Sequence, residues 1–230
     1  MHDKEFSALE SKLKVPFKKQ DLLVHAFVHR SYLNENPGFY LQNNERLEFL
    51  GDAVLELVVT EDLYKRYPDK PEGEMTSWRA ALVNSKMLAE TAKELGFNDF
   101  LLLSKGETRE TGKARDYILA NTFEAYVGAL YLDQGLKSCE KFIQQHLLPK
   151  LAHVLEAELF RDAKSQFQEN AQEREGITPT YKSLEEWGPD HQKKFKVGVF
   201  LNDKKIAEGQ GSSKQEAEEN AARNALTTSN

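Results

Sequence analysis

The fold of this chain depends first on residues 43–55, which read Asn43-Asn44-Glu45-Arg46-Leu47-Glu48-Phe49-Leu50-Gly51-Asp52-Ala53-Val54-Leu55. No proline interrupts this stretch, and apolar residues continue as far as Val59, so the pattern predicts a buried helix. Asn44 is placed to cap the helix, and acidic Glu45 falls in the first turn. We expect the helix to end just before Pro68.

Three carboxylates of this helix, those of Glu45, Glu48 and Asp52, are spaced at i, i+3 and i+7 and project from one face. On so apolar a helix they repel one another and lose hydration, and a bound cation is the usual remedy. Ligands that offer only oxygen favour Mg²⁺ or Mn²⁺ over Zn²⁺. The alternative is a solvated acidic face that pairs with Arg46 or with nearby lysines. Gly51 costs about 1 kcal/mol relative to alanine inside a helix, which indicates that something approaches the backbone closely there.

A second helix that is apolar on nearly all sides is predicted over residues 115–132. Asn121 and Glu124 stand at i and i+3 on it and share a face. Two buried helices that each carry a stripe of oxygen ligands indicate a facing pair with a cation between them. The amide oxygen of Asn121 can bind Mg²⁺, but it contributes no negative charge.

The character of the chain changes near residues 161–165. The pattern that follows predicts a helix over 162–174, strands over 180–187, 195–200 and 206–209, and a final helix after Ser213. Three strands with two helices on one face make a small α+β domain. We therefore predict an all-α domain over 1–157, a linker over 158–163 and an α-β-β-β-α domain over 164–230.

Composition narrows the class of protein without deciding it. The net charge of −6 argues mildly against a nucleic-acid partner, although a local basic strip can still bind phosphates. Cys139 is the only cysteine, which excludes an internal disulfide and a thiolate metal cluster. No apolar run approaches the roughly 20 residues of a membrane span, and no secretory signal is visible. We expect a cytoplasmic protein without a membrane partner.

Residues 45–53 resemble the signature of the ribonuclease III family. The resemblance implies an endoribonuclease that cleaves both strands of double-stranded RNA by metal-dependent hydrolysis, with Mg²⁺ as cofactor and Mn²⁺ as a substitute. It implies 5′-phosphate and 3′-hydroxyl ends, short 3′ overhangs, and substrates such as rRNA precursors and mRNA. Since one duplex needs two cuts, it also implies a homodimer.

The same resemblance assigns roles to particular residues. Phe49 corresponds to the family's dimer contact, although simple core packing is the alternative. The family carries acids at both positions of the second helix, whereas this chain has Asn121 at the first. Glu72 is expected in the loop before the next helix. There it either joins the acidic cluster or only interacts favourably with the dipole of that helix. The implied catalytic residues are Glu45, Asp52, Glu72 and Glu124, and the implied metal ligands are Glu48, Asp52, Asn121 and Glu124.

The second domain resembles a double-stranded-RNA-binding domain through Gly188-Pro189-Asp190-His191 and through Lys214 followed by Ala217 and Ala221-Ala222. Serine and glutamine suit the 2′-hydroxyls of a shallow minor groove, and lysines at a helix start suit phosphates. Gln215 stands where a second lysine is frequent, so we expect weaker and more salt-sensitive binding. The implied RNA contacts are Ser165, Gln168, Glu169, Gln172, His191, Lys193, Lys194, Ser213 and Lys214.

Two loops and two other functions complete the expectations. Residues 33–42 and 104–113 are rich in turn-forming residues and predict loops, the second of them mobile. One alternative function is a non-catalytic regulator that binds double-stranded RNA, in which Asn121 marks weakened or lost cleavage. The other is a metal-dependent hydrolase acting on something else, which leaves the second domain unexplained.

Overall fold

The computed structural model describes residues 6–158, 160, 163–189 and 193–228. The chain forms two compact units, Met1–Phe160 and Arg161–Asn230, each with its own hydrophobic core. The first unit is helical and the second combines two helices with a three-stranded sheet, which confirms the predicted fold class. Within the predicted linker, residues 159, 161 and 162 lie outside the described residues. Among the helices of the described ranges, none is both long enough and apolar enough to span a bilayer.

The first unit is built around two helices of 22 residues each, α4 (Glu45–Arg66) and α8 (Lys113–Gln134). These two make the most extensive contact among the described elements. The other helices of this unit are α1 (Phe6–Leu13), α2 (Gln20–Ala26), α3 (Arg30–Glu35), α5 (Glu72–Val83), α6 (Ser85–Leu95), α7 (Lys105–Arg109), α9 (Leu136–His146) and α10 (Lys150–Glu156), with a 3-10 turn at Phe97–Phe100.

Two glycines allow α4 and α8 to touch backbone to backbone. A Cβ atom added at Gly51 would lie 1.7 Å from the carbonyl oxygen of Glu124. One added at Gly128 would lie 2.2 Å from the carbonyl oxygen of Leu47. The close approach predicted at Gly51 is therefore present, and Gly128 is its counterpart on α8.

An aromatic cluster packs against α8 within the core. Tyr126 and Phe123 on that helix are fully buried together with Phe27 and Phe97. The ring centroids of Phe97 and Tyr126 are 5.1 Å apart, as are those of Phe27 and Phe97. Close-packed rings of this size restrict the rotation of α8 about its axis, and so they fix which side of it faces α4.

The two predicted loops contain helices, and this part of the prediction was wrong. Residues 33–35 belong to α3, and residues 105–109 form α7. Ser104 caps α7 by accepting a hydrogen bond from the backbone N–H of Glu107 at 3.2 Å. Arg115 donates to three carbonyl groups at the end of α7, one of them that of Glu107 at 2.8 Å. Side-chain caps of this kind stabilise a helix too short to show an apolar period.

Two further details differ from the sequence-based prediction. Asn44 precedes α4, but its amide points into the core and donates to the carbonyl oxygen of Ala26 at 2.9 Å. Asn44 therefore joins α4 to the end of α2 and does not cap α4 with its side chain. Glu72 is the first residue of α5 and does not lie in the preceding loop.

The second unit consists of α11 (Ala163–Glu175), β1 (Thr180–Trp187), β2 (Lys194–Leu201), β3 (Lys204–Gly211) and α12 (Lys214–Thr228). The strands form an antiparallel sheet in the order β1-β2-β3. The core lies between this sheet and the two helices, and small residues let the layers approach. A Cβ atom added at Gly209 would lie 2.1 Å from the backbone nitrogen of Ala221.

Candidate active site and RNA interface

The contact between α4 and α8 brings the two predicted oxygen stripes together. Glu124 lies on the face of α8 that touches α4, since its carbonyl oxygen meets Gly51. Burial, then the negative charges of Asp52 and Glu48, raises the pKa of Glu124 from 4.5 to about 8. The carboxylates of the two helices are therefore close enough to repel one another in a partly dehydrated setting.

Glu48 links the acids to the amide of Asn121. Burial raises the pKa of Glu48, and the charges of Glu45 and Asp52 act in the same direction. A hydrogen bond with the side chain of Asn121 acts against them and lowers it. The structure therefore brings together five of the six residues predicted for this site.

Glu72 is the predicted site residue that stands apart. It lines a cavity of about 240 Å³ beside Thr60, Tyr64 and Arg79, and it accepts a hydrogen bond from Thr76 Oγ1 at 2.7 Å. Thr60 follows Asp52 by eight residues, which corresponds to about 12 Å along a helix. Within one subunit, Glu72 therefore lies roughly two turns of α4 away from the acidic cluster.

The donor set of the cluster fits a divalent cation in its chemistry. All its ligating atoms are oxygens, and its carboxylates raise the pKa values of their neighbours, which is the repulsion that a cation relieves. Among the described residues, no three acidic, histidine or cysteine side chains converge closely enough to hold a metal ion. The side chains are thus neighbours in space without a ready-made coordination geometry.

Phe49 lies on the same helix as the acids but faces outward. Its side chain is 82 % exposed, so the alternative of core packing is wrong. Phe49 lies at the edge of a cavity of about 660 Å³ whose other lining residues are Leu22, His25, Gln42, Glu45, Arg46, Leu47, Leu50 and Leu132. An exposed aromatic beside a largely apolar hollow is typical of an interaction surface.

His29 has a structural role at the start of α3. It is the N-cap residue of α3, and its Nδ1 lies 2.8 Å from Ser31 Oγ and accepts from the backbone N–H of Ser31 at 3.3 Å. Burial lowers the pKa of His29. A neutral imidazole suits this capping contact, because its unprotonated nitrogen is the hydrogen-bond acceptor.

In the second unit, eight of the nine predicted RNA contacts lie in the described residues, and His191 lies outside them. Ser165, Gln168, Glu169 and Gln172 are all exposed and follow one another at helical spacing along one face of α11. The remaining four lie at or just before the first residues of β2 and α12: Lys193, Lys194, Ser213 and Lys214.

Sequence reasoning missed a residue that contacts two of these lysines. Glu186 lies near the end of β1, and its carboxylate oxygens are 2.8 Å from Lys214 Nζ and 3.0 Å from Lys193 Nζ. These two ammonium groups lower the pKa of Glu186. Pairing β1 with β2 as antiparallel neighbours would have placed Glu186 beside the first residues of β2, and that was the available signal.

Known protein families match both units of the chain. Residues 19–151 match the family model described as Ribonuclease-III-like, and residues 163–228 match the double-stranded RNA binding motif. Ribonuclease 3 of Oceanobacillus iheyensis is 46% identical over 227 residues, covering 96% of this chain and 97% of that protein. Ribonuclease 3 of Geobacillus kaustophilus is 42% identical over 236 residues, covering 99% of this chain and 94% of that protein.

The first unit also resembles a solved ribonuclease III nuclease domain. The nuclease domain of ribonuclease III from Campylobacter jejuni is 40% identical, with a TM-score of 0.56 over 61% of this chain and 94% of that chain. That structure is described as showing flexibility in the region involved in dimer formation. The match to the RNA-binding motif accounts for the second unit, which a hydrolase of another substrate class leaves unexplained. The chain therefore belongs to the ribonuclease III family of double-stranded-RNA endoribonucleases, with a nuclease domain followed by a double-stranded-RNA-binding domain.

Proposed function

We propose that this chain hydrolyses both strands of double-stranded RNA with a divalent cation held between α4 and α8. The observation that carries the proposal is the backbone contact at Gly51 and Gly128, because it turns the acids of α4 toward Asn121 and Glu124. Partly buried acids that raise one another's pKa values are costly to keep ionised without a cation. This energetic cost of ionisation supports the proposal that the site binds a cation.

The residues that would hold the cation are Glu48, Asp52, Asn121 and Glu124, with Mg²⁺ as the natural ion and Mn²⁺ as a substitute. When bound, the cation supplies an activated water and stabilises the charge that develops on the scissile phosphate. The chain's own residues hold the proposed ligands in position. The aromatic core fixes the rotation of α8, and Asn121 holds the carboxylate of Glu48 by a hydrogen bond.

The catalytic acids of the proposal are Glu45, Asp52, Glu72 and Glu124. Glu45 lies close enough to the cluster for its negative charge to raise the pKa of Glu48. Glu72 lies apart from the cluster within a subunit, so its contribution would come through contacts that form only in the dimer or with bound RNA.

We place the dimer contact at Phe49. Cutting both strands of one duplex needs two sites, and two subunits related by a two-fold axis supply them. An isologous interface uses the same patch on both subunits, so a protruding group must lie near a hollow that can receive its copy. Phe49 and the adjacent cavity of about 660 Å³ satisfy this requirement.

The products in this scheme are 5′-phosphate and 3′-hydroxyl ends with short 3′ overhangs, and the substrates are duplex regions of rRNA precursors and mRNA in the cytoplasm. The nuclease domain spans residues 1–157, and the RNA-binding domain spans residues 164–230. In the second domain, the polar face of α11 would contact the minor groove, while Lys193, Lys194 and Lys214 would contact phosphates.

Replacement of one acid tests the cation site. Glu124→Gln should lower cleavage of a plain RNA duplex in Mg²⁺ by about 10²–10³-fold or more, because it removes the charged ligand of α8. Duplex affinity measured in EDTA should stay within twofold of the wild type, since phosphate and groove contacts supply most of it. Glu61→Gln, an exposed acid of α4 that pairs with Lys65, serves as the control and should cleave normally. Wild-type cleavage by Glu124→Gln would exclude the proposed site.

A further inference from the structure

The RNA-binding domain contains an acid at the centre of its candidate phosphate contacts. One carboxylate oxygen of Glu186 lies 2.8 Å from Lys214 Nζ, and the other lies 3.0 Å from Lys193 Nζ. Both ammonium groups also lie over the ring of Phe195, at 5.7 Å and 5.6 Å from its centroid. Lys214 begins α12 and Lys193 precedes β2, so the acid bridges two separate parts of the chain.

The arrangement offers each lysine the same kind of partner that an RNA phosphate would. A carboxylate presents two anionic oxygens, and each oxygen of Glu186 receives one ammonium group at hydrogen-bonding distance. Glu186 and Phe195 are cross-strand partners on β1 and β2, so the sheet register fixes the acid beside the ring over which both lysines lie. The position of the acid is thus set by the sheet.

We infer that Glu186 sets the affinity and the salt dependence of duplex binding by competing with RNA phosphates for Lys193 and Lys214. A phosphate that approaches either lysine must displace the carboxylate or lie beside a like charge. Either outcome cancels part of the electrostatic free energy that the lysines contribute to RNA binding. The number of phosphates that the domain effectively neutralises therefore falls by about one. The inference rests on the proposed phosphate contacts of Lys193 and Lys214.

The same domain provides a matched control. Glu208 on β3 also bridges two lysines, with Lys196 Nζ at 2.8 Å and Lys205 as its second partner. Successive side chains of a strand point to opposite faces of the sheet, and Val197 and Val199 of β2 are buried. Lys196 therefore points away from the helices, and this second bridge lies on the outer face of the sheet. Glu208→Gln therefore makes the same change in charge, and releases the same number of lysines, away from the candidate RNA contacts.

The test measures binding of the full chain to a short RNA duplex in EDTA over a series of KCl concentrations. Glu186→Gln should bind about 5–10-fold more tightly than the wild type near 0.1 M salt, with a log–log salt slope steeper by about 0.9. Glu208→Gln should stay within twofold of the wild type and keep its slope. Thermal unfolding of each variant confirms that it is folded. In Mg²⁺, Glu186→Gln should lower KM for the duplex and leave kcat unchanged.

Each other result has a distinct meaning. Equal or weaker binding by Glu186→Gln would overturn the inference, because it would show that the acid only orients the lysines. An equal gain from Glu208→Gln would also overturn it, since the effect would then reflect net charge alone. If the double variant Lys193→Ala, Lys214→Ala binds as the wild type does, the proposed phosphate contacts are wrong and the inference falls with them. If that variant binds weakly while Glu186→Gln changes nothing, only the inference is wrong.

Discussion

Asn121 is the neutral member of a cluster whose other members are acids. Its side chain forms a hydrogen bond with Glu48 and lowers the pKa of that carboxyl, against the effects of burial, Glu45 and Asp52. The amide therefore stabilises the ionised form of a neighbouring carboxyl, which an aspartate at the same position would not do. The cost is one negative charge fewer for the cation that we propose to bind there.

Asn121→Asp should lower the Mg²⁺ concentration needed for half-maximal cleavage by about 3–10-fold, because each added carboxylate strengthens the attraction for the cation. The measurement is cleavage of a plain duplex over a series of Mg²⁺ concentrations. Asn98→Asp, which adds the same charge at an exposed site in the 3-10 turn, is the control and should leave the requirement unchanged. An unchanged or higher requirement for Asn121→Asp would show that the amide is no handicap.

Glu124 should make the metal-free protein less stable as the pH rises. The pKa of this carboxyl is about 8 in the fold, against an ordinary value of 4.5. Below pH 4.5 both states are protonated. Between 4.5 and 8 the unfolded chain has lost a proton that the fold retains, so the free energy of unfolding falls across this window.

The variant Glu124→Gln removes this effect, because glutamine does not titrate. In EDTA it should be more stable than the wild type by about 1–3 kcal/mol near pH 8.5 and equally stable near pH 4.5. Urea unfolding at several pH values measures the difference. A difference that does not vary with pH would show that ionisation of Glu124 does not destabilise the fold.

At the level of single residues, spacing alone was enough to find the acids but not their partners. Glu45, Glu48 and Asp52 share a face because the helical period requires it, and their repulsion follows from their charge. The contacts that Asn44 and Glu186 make with other elements escaped prediction for a common reason. The amide of Asn44 contacts α2, and the carboxylate of Glu186 contacts the start of α12, so each depends on an element distant in sequence.

At the level of elements, the site depends on how closely α4 and α8 can pack. Both helices are apolar on most sides, which predicts burial but leaves their mutual rotation open. Gly51 and Gly128 determine which sides of the two helices can meet, since only the sides that carry them can come into backbone contact, and the aromatic cluster then holds α8 in that orientation. The cost of a glycine inside a helix predicted the close approach at Gly51, and the same cost at Gly128 points to the facing side of α8.

Gly51→Ala should destabilise the first unit by about 3 kcal/mol or more, because the new methyl group would meet a backbone carbonyl that has no room to move. Cleavage should fall as well, since the acids of the two helices would be pushed apart. Urea unfolding and cleavage of a duplex measure the two effects.

Gly73→Ala is the control, because an added Cβ at Gly73 meets nothing within 4 Å. It should be neutral or should stabilise the protein by up to about 1 kcal/mol through helix propensity. Equal stability of Gly51→Ala and Gly73→Ala would show that the helices can separate without cost.

The short helices were harder to predict than the long ones. α3 has six residues and α7 has five, which is too few for an apolar period to appear. Contacts distant in sequence stabilise α7, including two hydrogen bonds from the backbone N–H of Lys105 to the carboxylate of Glu35, each at 3.2 Å. Such contacts are visible only once the fold is known.

At the level of the whole molecule, the two units divide the work that the family performs. Net charge was a poor guide to this division, because the chain carries −6 overall and still contains an RNA-binding domain. Pairs such as Lys193–Glu186 and Lys196–Glu208 explain the discrepancy in part, since acids offset lysines within the RNA-binding domain itself. Motifs and helical spacing therefore predicted the partner better than composition did.

Dimer formation should depend on Phe49. Its side chain is 82 % exposed beside a cavity of about 660 Å³, and a two-fold axis would place each Phe49 in the cavity of the partner subunit. Truncation of a central aromatic anchor typically costs about 2 kcal/mol or more, and the interface contains two copies. Phe49→Ala should therefore raise the dimer dissociation constant by about 10²-fold or more, as measured by sedimentation velocity over a dilution series. Tyr117→Ala removes a comparably exposed ring of α8 that lies outside this cavity, and it should leave the dimer intact. If the wild type sediments as a monomer at micromolar concentration, or if Phe49→Ala remains as dimeric as Tyr117→Ala, the proposed interface is wrong.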